Sequence, residues 1–292
     1  MNFEPISLTH KDAIDSALKS TAQETADRTF VNLWLWRFGR EISVAAEKDF
    51  LVIGEQESGK PPCFLFPLGS ADVAVEALIG HCKSAGVPLC FRALTIAQVE
   101  RLKAIAGDRL ETFHNGDHDD YLYDAQALIA LAGKAYHAKK NFVNRFETLY
   151  GICYERLSDL NLGETIAFIN RWFDRSAYRA SGEQEGIVEL LKDYKRFSCS
   201  YGILRTEGQI VGFTIGEELS SECVVIHVEK ADGAGYPGSY QVLNQAHLKN
   251  EWADKRIVNR EEDLGLEGLR RAKLSYHPIG FARKFEARVD VT

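Results

Sequence analysis

The chain has 292 residues, 45% of them hydrophobic, and a formal net charge of -7. That composition supports a packed core and excludes a wholly disordered chain, and the acidic balance argues against a dedicated nucleic-acid binder. The charge is unevenly spread, however: residues 134–145 hold four basic side chains and no acid, and residues 255–288 hold nine basic against five acidic. Two basic islands on an acidic body point to local binding of anions such as phosphates.

The six cysteines (Cys63, Cys82, Cys90, Cys153, Cys199 and Cys223) contain no CxxC pair, and no histidine cluster completes a zinc pattern. Free thiols in a reducing compartment and no metal are expected. The N-terminus lacks the basic-then-apolar plan of a signal peptide, and no apolar run reaches the length of a membrane helix, so a cytoplasmic protein without a membrane span is expected.

In chain order, residues 7–19 read as a helix. Residues 30–40, FVNLWLWRFGR, mix aromatic and basic side chains. Trp34 and Phe38 are expected in the core, with Asn32, Trp36, Arg37 and Arg40 as candidates for a cleft wall. Strands at 50–55 and 63–67 form a hairpin. Ser70 is placed as the cap of a helix over 71–85. A strand at 88–91 precedes a helix over 96–106, opened by the capping box of Thr95 and Gln98. A strand at 110–113, a polar loop at 115–120 and extended residues 121–123 follow. Residues 125–150 are helical in pattern with a weak point at Gly133, and Lys139, Lys140 and Arg145 form a charged face.

Helices at 163–172 and 183–196 flank a loop over 175–182. Strands at 201–205 and 209–217 flank a turn at Glu207 and Gly208, and a third strand covers 222–229. The glycine-rich loop 231–238 leads into a helix over 239–252 with Ser239 as its cap. A strand at 256–258, a helix over 266–276 stopped by Pro278, and a strand over 281–289 complete the chain. The order hairpin, helix, strand, helix, strand occurs twice, from residue 50 and from residue 201. It predicts two similarly built α/β halves, divided as 1–150 and 151–292, each a mixed sheet flanked by helices.

The chemistry concentrates in the second half. Strict alternation over 222–229 puts Val224, Ile226 and Val228 on one face and Val225, His227 and Glu229 on the other. Glu229 is the first candidate for a general base and His227 the second. Lys230, Gly233, Gly235 and Gly238 precede Ser239 at a helix start, where backbone N–H groups can close around an anion. Asn259 and Glu261 share one side of a strand end and can orient an amine or hydroxyl nucleophile, with Arg260 between them. Asp263 is a candidate helix cap. Arg270, Arg271 and Lys273 either meet phosphate or form a solvated face.

Lys230-x-x-Gly233-x-Gly235 resembles the pyrophosphate loop of Gcn5-related N-acetyltransferases, which normally begin it with Gln or Arg. Ala272-x-x-x-Tyr276-x-x-x-Gly280-Phe281 is similar to the last helix and strand of that superfamily, whose matching tyrosine protonates the leaving thiolate of coenzyme A. The segments 135–146, 227–231 and 259–278 resemble a soluble bacterial family related to the C-terminal catalytic domain of phosphatidylglycerol lysyltransferases. That resemblance implies two tandem acetyltransferase-like folds. In the lysyltransferases the donor is an aminoacyl-tRNA and the acceptor a lipid hydroxyl; here the membrane-spanning part is not expected.

Together these features predict transfer of an acyl or aminoacyl group to an amine or hydroxyl of a small-molecule acceptor. The donor is acyl-CoA or, alternatively, aminoacyl-tRNA. Glu229 and His227 are the bases, Tyr276 the acid, and Asn259 and Glu261 orient the nucleophile. Lys230, Gly233, Gly235, Gly238 and Ser239 hold donor phosphates. Lys139, Lys140, Arg145 and Arg260 supply positive potential. No DNA partner is expected. The first half lacks a comparable loop, and a supporting role is expected for it. The other reading is a non-catalytic module that binds a metabolite or a protein on the same duplicated fold.

Overall fold

The computed structural model describes residues 1–19, 25–176 and 182–291, so most of the loop expected over 175–182 lies outside the described residues. The chain divides into two compact units. The first comprises Met1–Asp120, Ser181–Gly186 and Ala282–Thr292, and the second Tyr121–Ala180 and Ile187–Phe281. This differs from a cut at residue 150 in three places, one of them the short segment ending at Gly186 that joins the first unit. The helices of 125–150 belong to the second unit, and the last strand belongs to the first, because Phe285–Val289 pairs antiparallel with both Leu89–Leu94 and Leu110–His114.

The sheet of the first unit runs Glu4–Pro5, Glu41–Ala46, Phe50–Gln56, Cys63–Phe64, Leu89–Leu94, Phe285–Val289, Leu110–His114, with Leu68–Gly69 paired to Phe50–Gln56 off this path. Helices Ala71–Ala85 and Ile96–Ala106 contribute Ala74, Leu78 and Leu102 to the core around Val52, Phe64 and Phe91. Thr95 and Gln98 form the expected reciprocal cap. Ser70 stands at the N-cap but makes no capping bond with its side chain. The helix Phe30–Trp36 is shorter than the aromatic run, so Phe38 falls beyond it and is 47% exposed rather than in the core. Arg37 stacks over the Trp34 and Phe38 rings, and Arg40 pairs with Glu55. The strand Glu41–Ala46 was not expected from sequence.

The sheet of the second unit runs Gly280–Ala282, Asp120–Asp124, Ile257–Asn259, Cys223–Ala231, Gln209–Glu218, Cys199–Thr206, Cys153–Arg156. Glu207 and Gly208, with φ of 49° and 75°, make the tight turn of the hairpin 199–218, as a primed two-residue turn requires. The long helical pattern breaks near Gly133 as expected, into Ala125–Ala130 and Gly133–Tyr150, with Leu131 left-handed between them. The helix Ser239–Glu251 lays Val242, Leu243 and Leu248 onto Leu204, Val211, Ile226 and Val258. The C-terminal helix covers only Glu267–Leu274, and the expected strand 281–289 divides into Gly280–Ala282 and Phe285–Val289, one in each sheet.

The repeat is closer than the sequence pattern suggested. Each unit has a three-strand antiparallel meander (41–46, 50–56, 63–64; then 199–206, 209–218, 223–231). In each, the third strand pairs in parallel with the strand after the next helix, 89–94 or 257–259. The fold class is the expected one, α/β with two acetyltransferase-like units, each a mixed sheet flanked by helices.

Candidate active site

The second unit collects a buried polar cluster around Glu229. One carboxylate oxygen of Glu229 accepts from Arg260 Nη2 at 2.7 Å, and the other accepts from Asn244 Nδ2 at 2.9 Å. Arg260 follows the strand Ile257–Asn259, which runs parallel beside the strand carrying Glu229. Its guanidinium carbon lies 4.9 Å from the Tyr276 ring centroid and 5.7 Å from that of Tyr123. On the other side Lys139 Nζ sits 4.2 Å from the Tyr276 ring centroid and donates to Ser275 Oγ at 2.6 Å. Burial and the neighbouring Arg260 charge lower the Lys139 pKa. Burial raises the Tyr276 phenol above its ordinary range against the opposing pull of Arg260.

The hydrogen bonding of this cluster is incomplete. Among the described residues, the buried Arg260 Nη1, Thr214 Oγ1 and Ser239 Oγ find no partner. Thr214 is the cross-strand partner of Glu229, and Ser239 opens the helix that supplies Asn244. Buried polar atoms left unmet cost about 1–3 kcal/mol each, and two of these three belong to residues paired with Glu229, Arg260 by its ion pair and Thr214 across the strands.

His227 belongs elsewhere. A register shift places Ile215 opposite Val228 but Gly216 opposite Ile226, so the strand bulges at His227 and the strict alternation fails. Val224 and Ile226 join the core under the helix 239–251, which Glu229 also reaches, through Asn244. His227 instead lies between Glu217 and Glu261, 2.9 Å from each. Burial opposes its charge, but the two carboxylates outweigh burial and raise its pKa to about 10. A protonated imidazole has no lone pair to offer as a base. Asn259 is fully buried, and its Oδ1 accepts from the Glu261 N–H at 2.7 Å. Asn259 and Glu261 thus fix a turn, at which Glu261 has φ of 55°.

Lys273 holds the same turn. Its ammonium donates to the carbonyl oxygens of Arg260, Glu261 and Glu262 at 2.5, 2.9 and 2.6 Å. Arg270 pairs with Asp263, which also accepts from Tyr121 and from the Gly265 N–H. Asp263 therefore closes a turn before the helix, whose N-cap is Leu266. These bonds occupy Arg270 and Lys273 within the fold. Lys140 and Arg145 are exposed, and only Lys139 of the three reaches the cluster.

The glycine-rich loop is tightly built. Gly238, at φ 101°, is the N-cap in place of Ser239, and a Cβ there would lie 2.9 Å from the Phe142 carbonyl oxygen. The Gly235 N–H donates to the Asp232 carboxylate at 2.9 Å, and the Tyr236 N–H to the Asp232 carbonyl. Lys230 is buried with its ammonium 4.4 Å from the Trp172 ring centroid. A cavity of about 450 Å³ borders the loop, lined by Asp232, Gly233, Tyr236, Trp172, Arg171 and Arg175 among others.

Asn244, Thr214 and Tyr123 did not emerge from the sequence. For Asn244 a signal existed: it is a polar residue within the buried run of Val242, Leu243, Ala246 and Leu248. No helix among the described residues is long and apolar enough to cross a membrane.

These features define a chain of two acetyltransferase-like units with a polar cluster in the second. Residues 19–288 match the family described as phosphatidylglycerol lysyltransferase, C-terminal, and the chain belongs to that family. It is similar to a solved conserved protein of unknown function from Bacteroides thetaiotaomicron, with 28% identity, 99% of this chain and 100% of that chain covered, and a TM-score of 0.90. The structure of L-PGS from Bacillus licheniformis shares the fold at 14% identity and a TM-score of 0.71, covering 98% of this chain and 93% of that one. An uncharacterized protein of Mycoplasmoides gallisepticum is 28% identical over 177 residues, which span 58% of this chain and just over half, 56%, of that protein.

Proposed function

We propose that the second unit transfers an aminoacyl group from aminoacyl-tRNA to an amine or hydroxyl acceptor. Family membership supports aminoacyl transfer as the reaction class. The observation that carries the reading is the half-met polar cluster around Glu229. Glu229 takes the proton of the attacking amine or hydroxyl. The unmet N–H of Arg260 stabilises the oxyanion that develops on the ester carbonyl, a role for which a preorganised buried donor is well suited. Tyr276 returns a proton to the departing oxygen.

The choice of donor rests on proton affinity and on the loop. A coenzyme A thiolate has an ordinary thiol pKa of about 8.5, so it would take a proton only uphill from a phenol raised above 10. A ribose alkoxide is far more basic and would take it downhill. The Asp232 carboxylate on the Gly235 N–H also disfavours a diphosphate there. A second reading, acyl-CoA as donor, is favoured by the cavity beside the loop with Arg171 and Arg175 on its wall.

The test is transfer of a radiolabelled amino acid from a bulk aminoacyl-tRNA pool to amine and hydroxyl acceptors, with acetyl-CoA assayed in parallel. Transfer from tRNA is expected, lowered about 10²-fold or more in Glu229→Gln. Binding of tRNA should weaken steeply with added salt. Thiol release from acetyl-CoA with no response to tRNA would establish the second reading instead.

A further inference from the structure

The first unit contains a pair of thiols that the transferase reading does not use. The parallel strands Cys63–Phe64 and Leu89–Leu94 pair Phe64 with Phe91. One residue back on each strand, Cys63 therefore stands beside Cys90. Phe64 and Phe91 point into the core, so alternation turns both cysteines to the opposite face of the sheet. Cys90 is the cross-strand partner of Arg288, Arg288 that of Glu111, and Cys63 that of Glu55. The two cysteines thus lie in one row with a guanidinium on the Cys90 side.

Adjacent strands lie about 4.8 Å apart, inside the range of about 4.4–6.8 Å between the Cα atoms of a disulfide. The spacing of Cys63 and Cys90 falls within that range. Both are free thiols; Cys63 is partly exposed, and Cys90 is only 9% exposed. We propose that Cys63 and Cys90 are a peroxide-reactive dithiol, with Cys90 as the attacking sulfur and Cys63 as the resolving one.

The steps balance with hydrogen peroxide as the oxidant. The Cys90 thiolate attacks one peroxide oxygen, an S–O bond forms, the O–O bond breaks, and the departing hydroxide takes the Cys63 proton to become water. The Cys63 thiolate then attacks the Cys90 sulfenic sulfur. An S–S bond forms, the S–O bond breaks, and hydroxide leaves, taking up the proton that Cys90 had released to solvent. Two thiols are oxidised by two electrons and one peroxide is reduced to two waters. The neighbouring Cys63 thiol and then Arg288, against burial and Glu286, hold Cys90 below the ordinary thiol range. Cys63 is raised by the same contact with Cys90 and by burial, as suits the thiol that keeps its proton until the first step. The product would staple the strand Cys63–Phe64, whose Phe64 lines a cavity of about 560 Å³ with Pro62 and Val87, to the strand Leu89–Leu94.

The experiment uses the full chain exposed to hydrogen peroxide, blocked by alkylation, digested and mapped by mass spectrometry. A Cys63–Cys90 linked peptide that disappears with dithiothreitol is expected. In Cys63→Ser, dimedone should trap a sulfenic acid on Cys90, and before oxidation Cys90 should alkylate about tenfold faster than the buried Cys82. A Cys153→Ser variant removes the exposed competing thiol. The wild-type cross-link is read without any substitution, so a misfolded variant does not blur the result. Peroxide-treated wild type that retains Cys90 as a free thiol while Cys153 is oxidised would overturn the proposal.

Discussion

Arg260 and Glu229 stand 31 residues apart in the chain and meet across two neighbouring parallel strands, Arg260 Nη2 donating to Glu229 Oε1 at 2.7 Å. Both side chains are nearly buried, at 13% and 12% exposure. Breaking a buried pair from one side strands a charge and costs about 3–5 kcal/mol, whereas removing both costs much less. Glu229→Gln and Arg260→Met should each destabilise by about 3 kcal/mol. The double substitution should lose far less than the sum. Urea denaturation of the four proteins measures the coupling. Additivity within about 0.5 kcal/mol would show that the pair does not act as a unit.

Two buried histidines should bend the stability curve in opposite directions. The folded pKa of His227 is raised to about 10, above the ordinary 6.5, so its contribution is complete below pH 6.5 and is lost as pH rises toward 10. His247, lowered by burial to about 3, is stable as the neutral form, so stability is lost as pH falls from 6.5 toward 3. Each limb has a slope of up to about 1.4 kcal/mol per pH unit. Urea midpoints across pH should show that His227→Gln flattens the alkaline limb and leaves the acid limb in place. An alkaline limb unchanged in that variant would refute the ion-pair assignment.

Lys273 should be a positioning residue. Its three N–H groups hold the carbonyl oxygens of residues 260–262, and Arg260 hangs from that turn. Lys273→Met leaves three acceptors unmet and should cost about 2–4 kcal/mol. Where the variant stays folded, kcat should fall more than KM rises, because a displaced Arg260 weakens the transition state. A loss of stability with kcat intact would confine Lys273 to a structural role.

Gly238 should tolerate no side chain. Its φ of 101° strains any L-residue, and an added Cβ would meet the Phe142 carbonyl oxygen at 2.9 Å. Gly238→Ala is expected to cost about 2 kcal/mol or more. Gly59 has φ of 77° with nothing within 4 Å of an added Cβ. Gly59→Ala should therefore cost only the backbone strain, about 1 kcal/mol. Thermal melts of the two variants make the comparison.

Tyr276→Phe should separate chemistry from packing. The ring contacts with Lys139 and Arg260 survive in phenylalanine, so stability should change by about 1 kcal/mol or less. If Tyr276 is the acid, transfer should fall by about 10²-fold or more. An unchanged rate would remove Tyr276 from the chemistry.

What could be read along the chain was local. The capping box of Thr95 and Gln98, the turn at Glu207 and Gly208, the break near Gly133 and the order of helices and strands all depend on neighbours a few residues away. The meander strand 41–46 escaped because EISVAA is short and follows an aromatic run that already reads as one element. The buried charges of the first unit escaped for a different reason. Glu55 with Arg40 and Arg92, and Lys284 with Asp120 and Asp27, are partners brought together only by the sheet.

The same division holds at the candidate site. The sequence alone identified Glu229, Arg260 and Lys139 as polar residues on suitable elements, because residue type and position along an element are local properties, and Tyr276 entered through the resemblance to the acetyltransferases. It treated His227 as their partner, because period-two alternation assumes an unbroken ladder. The tertiary structure put a bulge at His227, gave that imidazole to Glu217 and Glu261, and brought Asn244 and Thr214 to Glu229 instead. Register between strands is set by contacts distant in sequence, and a shift of one residue turns a side chain to the other face of the sheet.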